Sequence, residues 1–152
     1  MFPWKSLRKR LKRGKVLAVY FIDSNIFFYA KIFDREYGNA CARVLDKIEK
    51  GELGAATSTL VVIELANALM KYGLSDEVKD VVDAVFSLDI RVFEVDSLDV
   101  RTAATIYDKF KISPYDCVHA AVMKKAGIVE IISADRAFDK IDWIRRRDPK
   151  HV

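Results

Sequence analysis

The chain is predicted to fold as α/β, with a mostly parallel sheet and helices on both faces. Three observations carry that expectation. Short apolar runs such as VLAVYFI (16–22) read as strands buried on both sides. Such runs alternate along the chain with segments of helical length and period, the pattern of βαβ units. No Pro/Gly/Ser linker, internal repeat or low-complexity stretch divides the 152 residues, of which 51% are hydrophobic, so one core is expected.

The elements follow in order. Residues 1–15 form a basic arm, and the domain proper spans 16–152, opening with the strand 16–22. Residues 25–31 and 36–50 read as helices, the second closed by Gly51. GAATS (54–58) is a short strand leading into a helix over 59–72, stopped by Gly73. A further helix covers 75–88, RVFEV (91–95) is a strand, and Leu98–Phe110 is a helix. Ser113-Pro114 opens a helix that runs to Gly127, with proline at the start and glycine at the end where each is favoured. EIISA (130–134) is the next strand, followed by a short helix and an edge strand.

Composition narrows the chemistry. Only two cysteines are present, Cys41 and Cys117, with no CxxC pair, which argues against a zinc site or a disulfide scaffold and fits a reducing cytoplasm. No apolar run approaches the ~20 residues of a membrane helix. The opening MFPWKSLRKRLKRGK before VLAVYFI superficially resembles a signal peptide. Its apolar part is short, Asp23 interrupts it and no small-residue cleavage site follows, so a cytoplasmic protein with no membrane partner is expected. The net charge of +4 is unevenly placed: residues 5–15 carry seven Lys or Arg and no acid, and RRRDPK (145–150) forms a second cluster. Such runs are usually solvated faces. The functional alternative is attraction to a phosphate backbone, independent of base sequence. Trp4, Leu7 and Leu11 fall at helical spacing in the arm, but their apolar face is thin for a membrane-surface helix.

The acids are the informative residues. Ligands in open α/β sheets bind at the carboxyl ends of the strands, and two strands end in an acid there, Asp23 and Asp135. Either one alone is explained as a turn residue or helix N-cap. Two at one edge are harder to explain so. Glu64 lies one turn into a helix that is apolar nearly all round, sharing one arc with Asn67 and Lys71. That arc is either a solvent stripe or a window onto a polar cleft, and the rest of the helix is expected to be buried. Asp116, third in a helix opened by Ser113-Pro114, suits a capping box. Yet it shares a side with His119, Ala120 and Met123, towards the apolar face. Four acids at element ends with no histidine or cysteine cluster point to hard oxygen ligation, suiting Mg²⁺ or Mn²⁺. Such sites perform metal-assisted phosphoryl transfer. His119 reads as a packed or hydrogen-bonded histidine, Cys117 as packing, and Phe27, Phe28 and Tyr29 as core or a dimer face.

The ordered set FIDSN, STLVVIEL, SPYDCVHA and SADRAFDKI resembles the PIN-domain ribonuclease family, and within it the VapC-type toxins of toxin–antitoxin operons. Each motif is weak singly; four in order over residues 17–149, with a closing WIRRRDP, are fairly specific. The resemblance implies a three-layer α/β/α sandwich, Mg²⁺- or Mn²⁺-dependent RNA cleavage and homodimers, with an antitoxin docked beside the active site in toxin members. It makes Asp23, Glu64, Asp116 and Asp135 the catalytic acids and metal ligands. Ser24 and Asn25 would shape the turn and hold Asp23, and Asp139 would support the cluster through water. The arm of about fifteen residues before the first strand departs from many compact relatives.

The expected function is therefore a metal-dependent endoribonuclease and toxin, with RNA as substrate. The rivals are a housekeeping RNA-processing nuclease without an antitoxin and a catalytically silent RNA-binding domain. Retention of all four acids speaks against the latter. A haloacid-dehalogenase-type phosphatase needs a second aspartate two positions after the first, where Asn25 stands.

Overall fold

The computed structural model describes residues 18–152, so the basic arm lies outside the described residues. Five strands, β1 (Val19–Ile22), β2 (Gly54–Ser58), β3 (Arg91–Phe93), β4 (Glu130–Ile132) and β5 (Arg145–Arg147), form one sheet in the order β3-β2-β1-β4-β5. Every pairing is parallel. The helices are α1 (Ser24–Ile32), α2 (Gly38–Glu49), α3 (Thr59–Lys71), α4 (Val78–Ser87), α5 (Ser97–Phe110) and α6 (Pro114–Ala126). They cover both faces of the sheet, and the fold is the three-layer α/β/α sandwich.

β1 is the central strand, and the carboxyl half of its described apolar run is buried as expected: Phe21 and Ile22 are fully buried, with Ile131 and Ile132 of β4 paired beside them, whereas Val19 is exposed. The chain passes to β2 on one side of β1 and returns to β4 on the other. The crevice between β1 and β4 is thus a topological switch point, where the chain connections diverge and ligands are received at the carboxyl ends of the strands. Both ends are tied down. Asp23 N–H donates to the Ile132 carbonyl at 3.2 Å, and Thr57 Oγ1 donates to the Ile22 carbonyl at 2.9 Å.

Helix starts and stops follow local chemistry. Ser58 Oγ accepts from Val61 N–H at 3.3 Å, capping α3. Asp96 and Asp99 form a reciprocal capping box at the start of α5, and Lys125 of α6 donates to the buried Asp99 at 2.6 Å, tying the two helices together. Gly127 ends α6 at φ 69°, a left-handed conformation that glycine adopts without strain. β1 and β2 end at the expected residues, whereas β3 and β4 each stop two residues short of the expected 91–95 and 130–134. The 75–88 segment begins with a 3₁₀ turn, Ser75–Glu77, before α4. Asp34 accepts from the backbone of Glu36 and Tyr37, which delays α2 to Gly38.

One expectation fails on packing. The apolar surface of α3 is only half covered: Val61, Val62, Leu65 and Leu69 are buried, whereas Ile63 is 64% exposed and Met70 54% exposed. Nothing within the described residues packs over that stripe, because the neighbouring elements meet α3 on its other side. The second basic cluster is also largely absorbed by the fold. Arg146 pairs with Asp139, Arg147 with Glu130 and Lys150 with Glu36. Among the described residues, no helix is long and apolar enough to cross a membrane.

Candidate metal centre

The carboxylate that ends β1 is almost wholly buried, 4% exposed, and its position is over-determined. Asp23 Oδ1 accepts from Ser24 N–H at 2.8 Å, making Asp23 the N-cap of α1. Oδ2 accepts from Asn25 Nδ2 at 3.1 Å and from Ser133 Oγ at 2.5 Å. Asn25 is itself fixed, since its Oδ1 accepts from Ala134 N–H at 3.2 Å across the β1–β4 crevice. The N-cap explanation of Asp23 is therefore correct and incomplete. One carboxylate oxygen caps the helix, and the other is held by side chains from two strand ends.

The other acids come from separate elements. Glu64, half-buried on α3, accepts from Ser24 Oγ at 3.0 Å. The arc read as a window does face this crevice at Glu64, while Asn67 and Lys71 are exposed. His119 of α6, fully buried, brings Nε2 to 3.0 and 3.2 Å from the two Glu64 oxygens and 4.0 Å from Asp23 Oδ1. One ligand atom each from Asp23, Glu64 and His119 lie within 4.8 Å of one another, a group able to hold a metal ion.

Asp116 stands half-buried in the first turn of α6. The capping box does not form, because Ser113 makes no side-chain bond to the helix end. Asp116 is coupled by charge to Asp23, Asp135, His119 and Glu64, while the ligand atoms that lie within 4.8 Å of one another are those of Asp23, Glu64 and His119, without Asp116 or Asp135. Asp135 is more exposed and caps the following 3₁₀ turn through Ala137 N–H at 2.9 Å. Its backbone N–H donates to Ser133 Oγ at 3.0 Å, so the serine that holds Asp23 also sets the Asp135 turn.

The electrostatics show four acids sharing one field. Burial raises the Asp116 carboxyl to about 7, with the Asp23 and Asp135 charges adding to the shift, His119 opposing it and Glu64 reinforcing it. Burial likewise raises Asp23, against the lowering effects of His119 and of the Ser133 and Ser24 hydrogen bonds. For His119, burial disfavours the charged ring, but the Glu64 hydrogen bond and the Asp23, Glu64 and Asp116 charges outweigh it, and the pKa rises. A site that drives its own carboxylates towards protonation is short of positive charge.

A family model described as PIN domain matches residues 20–144. The chain belongs to the PIN domain family. The match spans β1 to the approach to β5 and includes all four acids. Similar proteins include Ribonuclease VapC13 of Mycobacterium tuberculosis, 25% identical over 126 residues, covering 82% of this chain and 96% of that protein. Among solved structures, the PIN domain resembles Mycobacterium tuberculosis VapC20, described as a Sarcin-Ricin loop cleaving toxin. The TM-score is 0.69 at 17% identity, covering 84% of this chain and 97% of the other. The DNA-bound VapBC of Salmonella typhimurium matches at TM-score 0.65 and 19% identity, over 88% of this chain and 98% of that one.

The donor set of this PIN domain fits a hard divalent cation: carboxylate oxygens converge on a buried acid, with serine and asparagine groups holding the ligands. Ser24 holds Asp23 through its backbone N–H, and its hydroxyl additionally serves Glu64. Asp139 is engaged by Arg146 in a two-pronged pair, Nε at 2.9 Å and Nη2 at 3.2 Å. Arg146 also donates to the Ser133 carbonyl at 3.0 Å, so Asp139 reaches the cluster through an arginine. The sequence offers no sign of Ser133 and leaves His119 between a phosphate contact and the packed or hydrogen-bonded histidine that the structure shows. The signal for His119 was its spacing, one helical turn after Asp116 and on the same side. Nothing local marks Ser133, whose partner is 110 residues away.

Proposed function

We propose that this PIN domain is a Mg²⁺- or Mn²⁺-dependent endoribonuclease, the toxin of a toxin–antitoxin pair, with Asp23, Glu64, Asp116 and Asp135 as its metal ligands. The observation that carries the reading is the approach of Asp23 and Glu64 ligand atoms, with His119, to within 4.8 Å of one another around a carboxylate whose every oxygen is already oriented, with the charges of Asp116 and Asp135 felt in the same field. The names of its relatives, VapC ribonucleases and a VapBC assembly, agree with this chemistry.

A bound divalent cation would supply a nucleophilic water at neutral pH and neutralise charge developing on the phosphate. The chain's own residues do the rest. Asp23 is a rigid mount, fixed by Ser24, Asn25 and Ser133. Glu64, half-buried at the mouth, is placed to orient or deprotonate the attacking water. Asp116 completes the inner ring from α6, and Asp135 stands at the exposed rim, where an RNA backbone would enter. Without the cation the same acids would repel that backbone. Arg and Lys side chains at the chain's ends would supply phosphate contacts.

An antitoxin and a second copy of the chain are the partners this reading calls for. The exposed Ile63–Met70 stripe of α3 is the apolar surface available to one of them. Cleavage of RNA by the purified protein tests the catalytic claim. Activity should require Mg²⁺ or Mn²⁺, vanish with chelator, and fall at least about a hundredfold in Asp23→Asn, the scale on which loss of a charge-stabilising group acts. Wild-type protein as inactive as Asp23→Asn contradicts it.

A further inference from the structure

His119 is the one buried polar side chain of the cluster whose bonding is lopsided. Its ring is fully buried beside the Phe21 ring, with centroids 5.8 Å apart. Nε2 faces both Glu64 oxygens, at 3.0 and 3.2 Å, with Asp23 Oδ1 at 4.0 Å. Nδ1 is equally buried and has no hydrogen-bond partner among the described residues. A neutral imidazole carries one proton, on either nitrogen. With the proton on Nδ1, a buried N–H would lack an acceptor and a bare Nε2 lone pair would face carboxylate oxygens, so both ends would be unfavourable. With the proton on Nε2, the donor meets its acceptors and only a lone pair is left against the apolar wall. A charged ring also donates from Nε2, its unpaired Nδ1–H offset by the charges of Glu64 and Asp23 beside it. In each favourable state Nε2 bears a hydrogen directed at Glu64, and Nδ1 lacks the acceptor that orients the ring of a metal-bound histidine.

We propose that His119 is a positioning residue of the metal centre: its Nε2–H fixes the Glu64 carboxylate against Asp23, and it does not ligate the cation itself. The inference rests on the metal-dependent reading above and gives it a part that the four acids do not contain. Ser24 Oγ and His119 Nε2 together hold Glu64 from α1 and α6, leaving the other lone pairs of its oxygens for the cation. A carboxylate on a half-buried helix face would otherwise sample several rotamers, and ordering it would weaken cation binding.

The test is Mn²⁺ binding, measured by titration calorimetry on wild type, His119→Gln and His119→Leu. Glutamine keeps an N–H donor at similar reach, and leucine removes it. Loss of a hydrogen bond that orients a ligand costs about 10- to 100-fold in metal affinity, so His119→Leu should weaken Mn²⁺ by at least about tenfold and His119→Gln by under about threefold. Equal losses in both variants would make His119 a direct ligand and overturn the proposal. Wild-type affinity in His119→Leu would reduce His119 to packing and also overturn it. Wild-type protein that takes up no Mn²⁺ overturns the metal reading itself, and this inference with it. Should the leucine variant fail to fold, the ¹⁵N imidazole spectrum of wild type saturated with diamagnetic Mg²⁺ decides. A protonated Nε2 supports the positioning role; a bare Nε2 with a protonated Nδ1 contradicts it.

Discussion

At the scale of single residues, the surroundings of the centre oppose the charge of two carboxylates, Asp23 and Asp116. Asp116 shows the consequence for stability. Its carboxyl is raised from 3.8 to about 7, so between those values the folded chain holds a proton that the unfolded chain has lost. Stability of metal-free protein should therefore fall as pH climbs from about 4 to about 7. His119 acts in the same sense: its raised pKa favours the fold below the ordinary histidine value, an advantage lost as pH rises through the folded one. Urea midpoints measured with chelator should decline over that range, the decline should be shallower in Asp116→Asn, and Mn²⁺ should restore what is lost at the upper end. A midpoint that rises with pH contradicts the assignment. Asp23, Asp116 and Asp135 stand out in the sequence because each falls at the end of an element, and Glu64 because it interrupts a helix that is otherwise nearly all apolar. Their holders do not. Ser133 and Arg146 act through contacts that only the folded sheet brings together, and a serine or an arginine has many ordinary reasons to occur.

At the scale of elements, the boundaries were set by turn chemistry that hydrophobic period does not register. The α1–α2 corner is the clearest case. Phe33 ends α1 in a left-handed conformation, φ 52°, while Asp34 caps the turn that follows and delays α2 by two residues relative to the 36–50 reading. Gly38 opens α2 against that corner, and a Cβ there would meet the Phe33 carbonyl carbon at 2.9 Å. Backbone cannot yield as a side chain tip can, so Gly38→Ala should destabilise the protein by about 1–3 kcal/mol, the usual cost of overpacking. Equilibrium unfolding measures it, and an unchanged midpoint would mean that the corner is free to open. The apolar wheel of α3 misled in another way. Period analysis reports which residues are apolar but not whether another element exists to cover them, and Ile63 and Met70 stay exposed. If a second copy covers the stripe, Ile63→Asp should convert a dimer to monomer in light scattering while leaving the melting temperature of the monomer unchanged. A wild-type monomer, or a variant that still dimerises, removes the stripe from the dimer interface.

At the scale of the whole molecule, the fold class could be read from alternating strands and helices, whereas the strand order could not. The order β3-β2-β1-β4-β5 is what makes β1 and β4 neighbours and places Asp23 and the Asp135 turn at one crevice. The basic cluster at the end of the chain shows the same limit. Read as a charge run it suited phosphate, but in the sheet Arg145–Arg147 form the edge strand β5, and two of its three arginines are committed to Asp139 and Glu130. Charged edge strands guard a sheet against pairing with other chains, which is reason enough for arginines there. The central claim is that these acids form one cation site at the switch point of the sheet. Anomalous scattering from a crystal soaked in Mn²⁺ tests it most directly. The expected result is a peak between Asp23 and Glu64, with Asp116 and Asp135 on its other sides and His119 outside the ligand shell. A crystal with no peak in the β1–β4 crevice, or with its Mn²⁺ elsewhere, would contradict it.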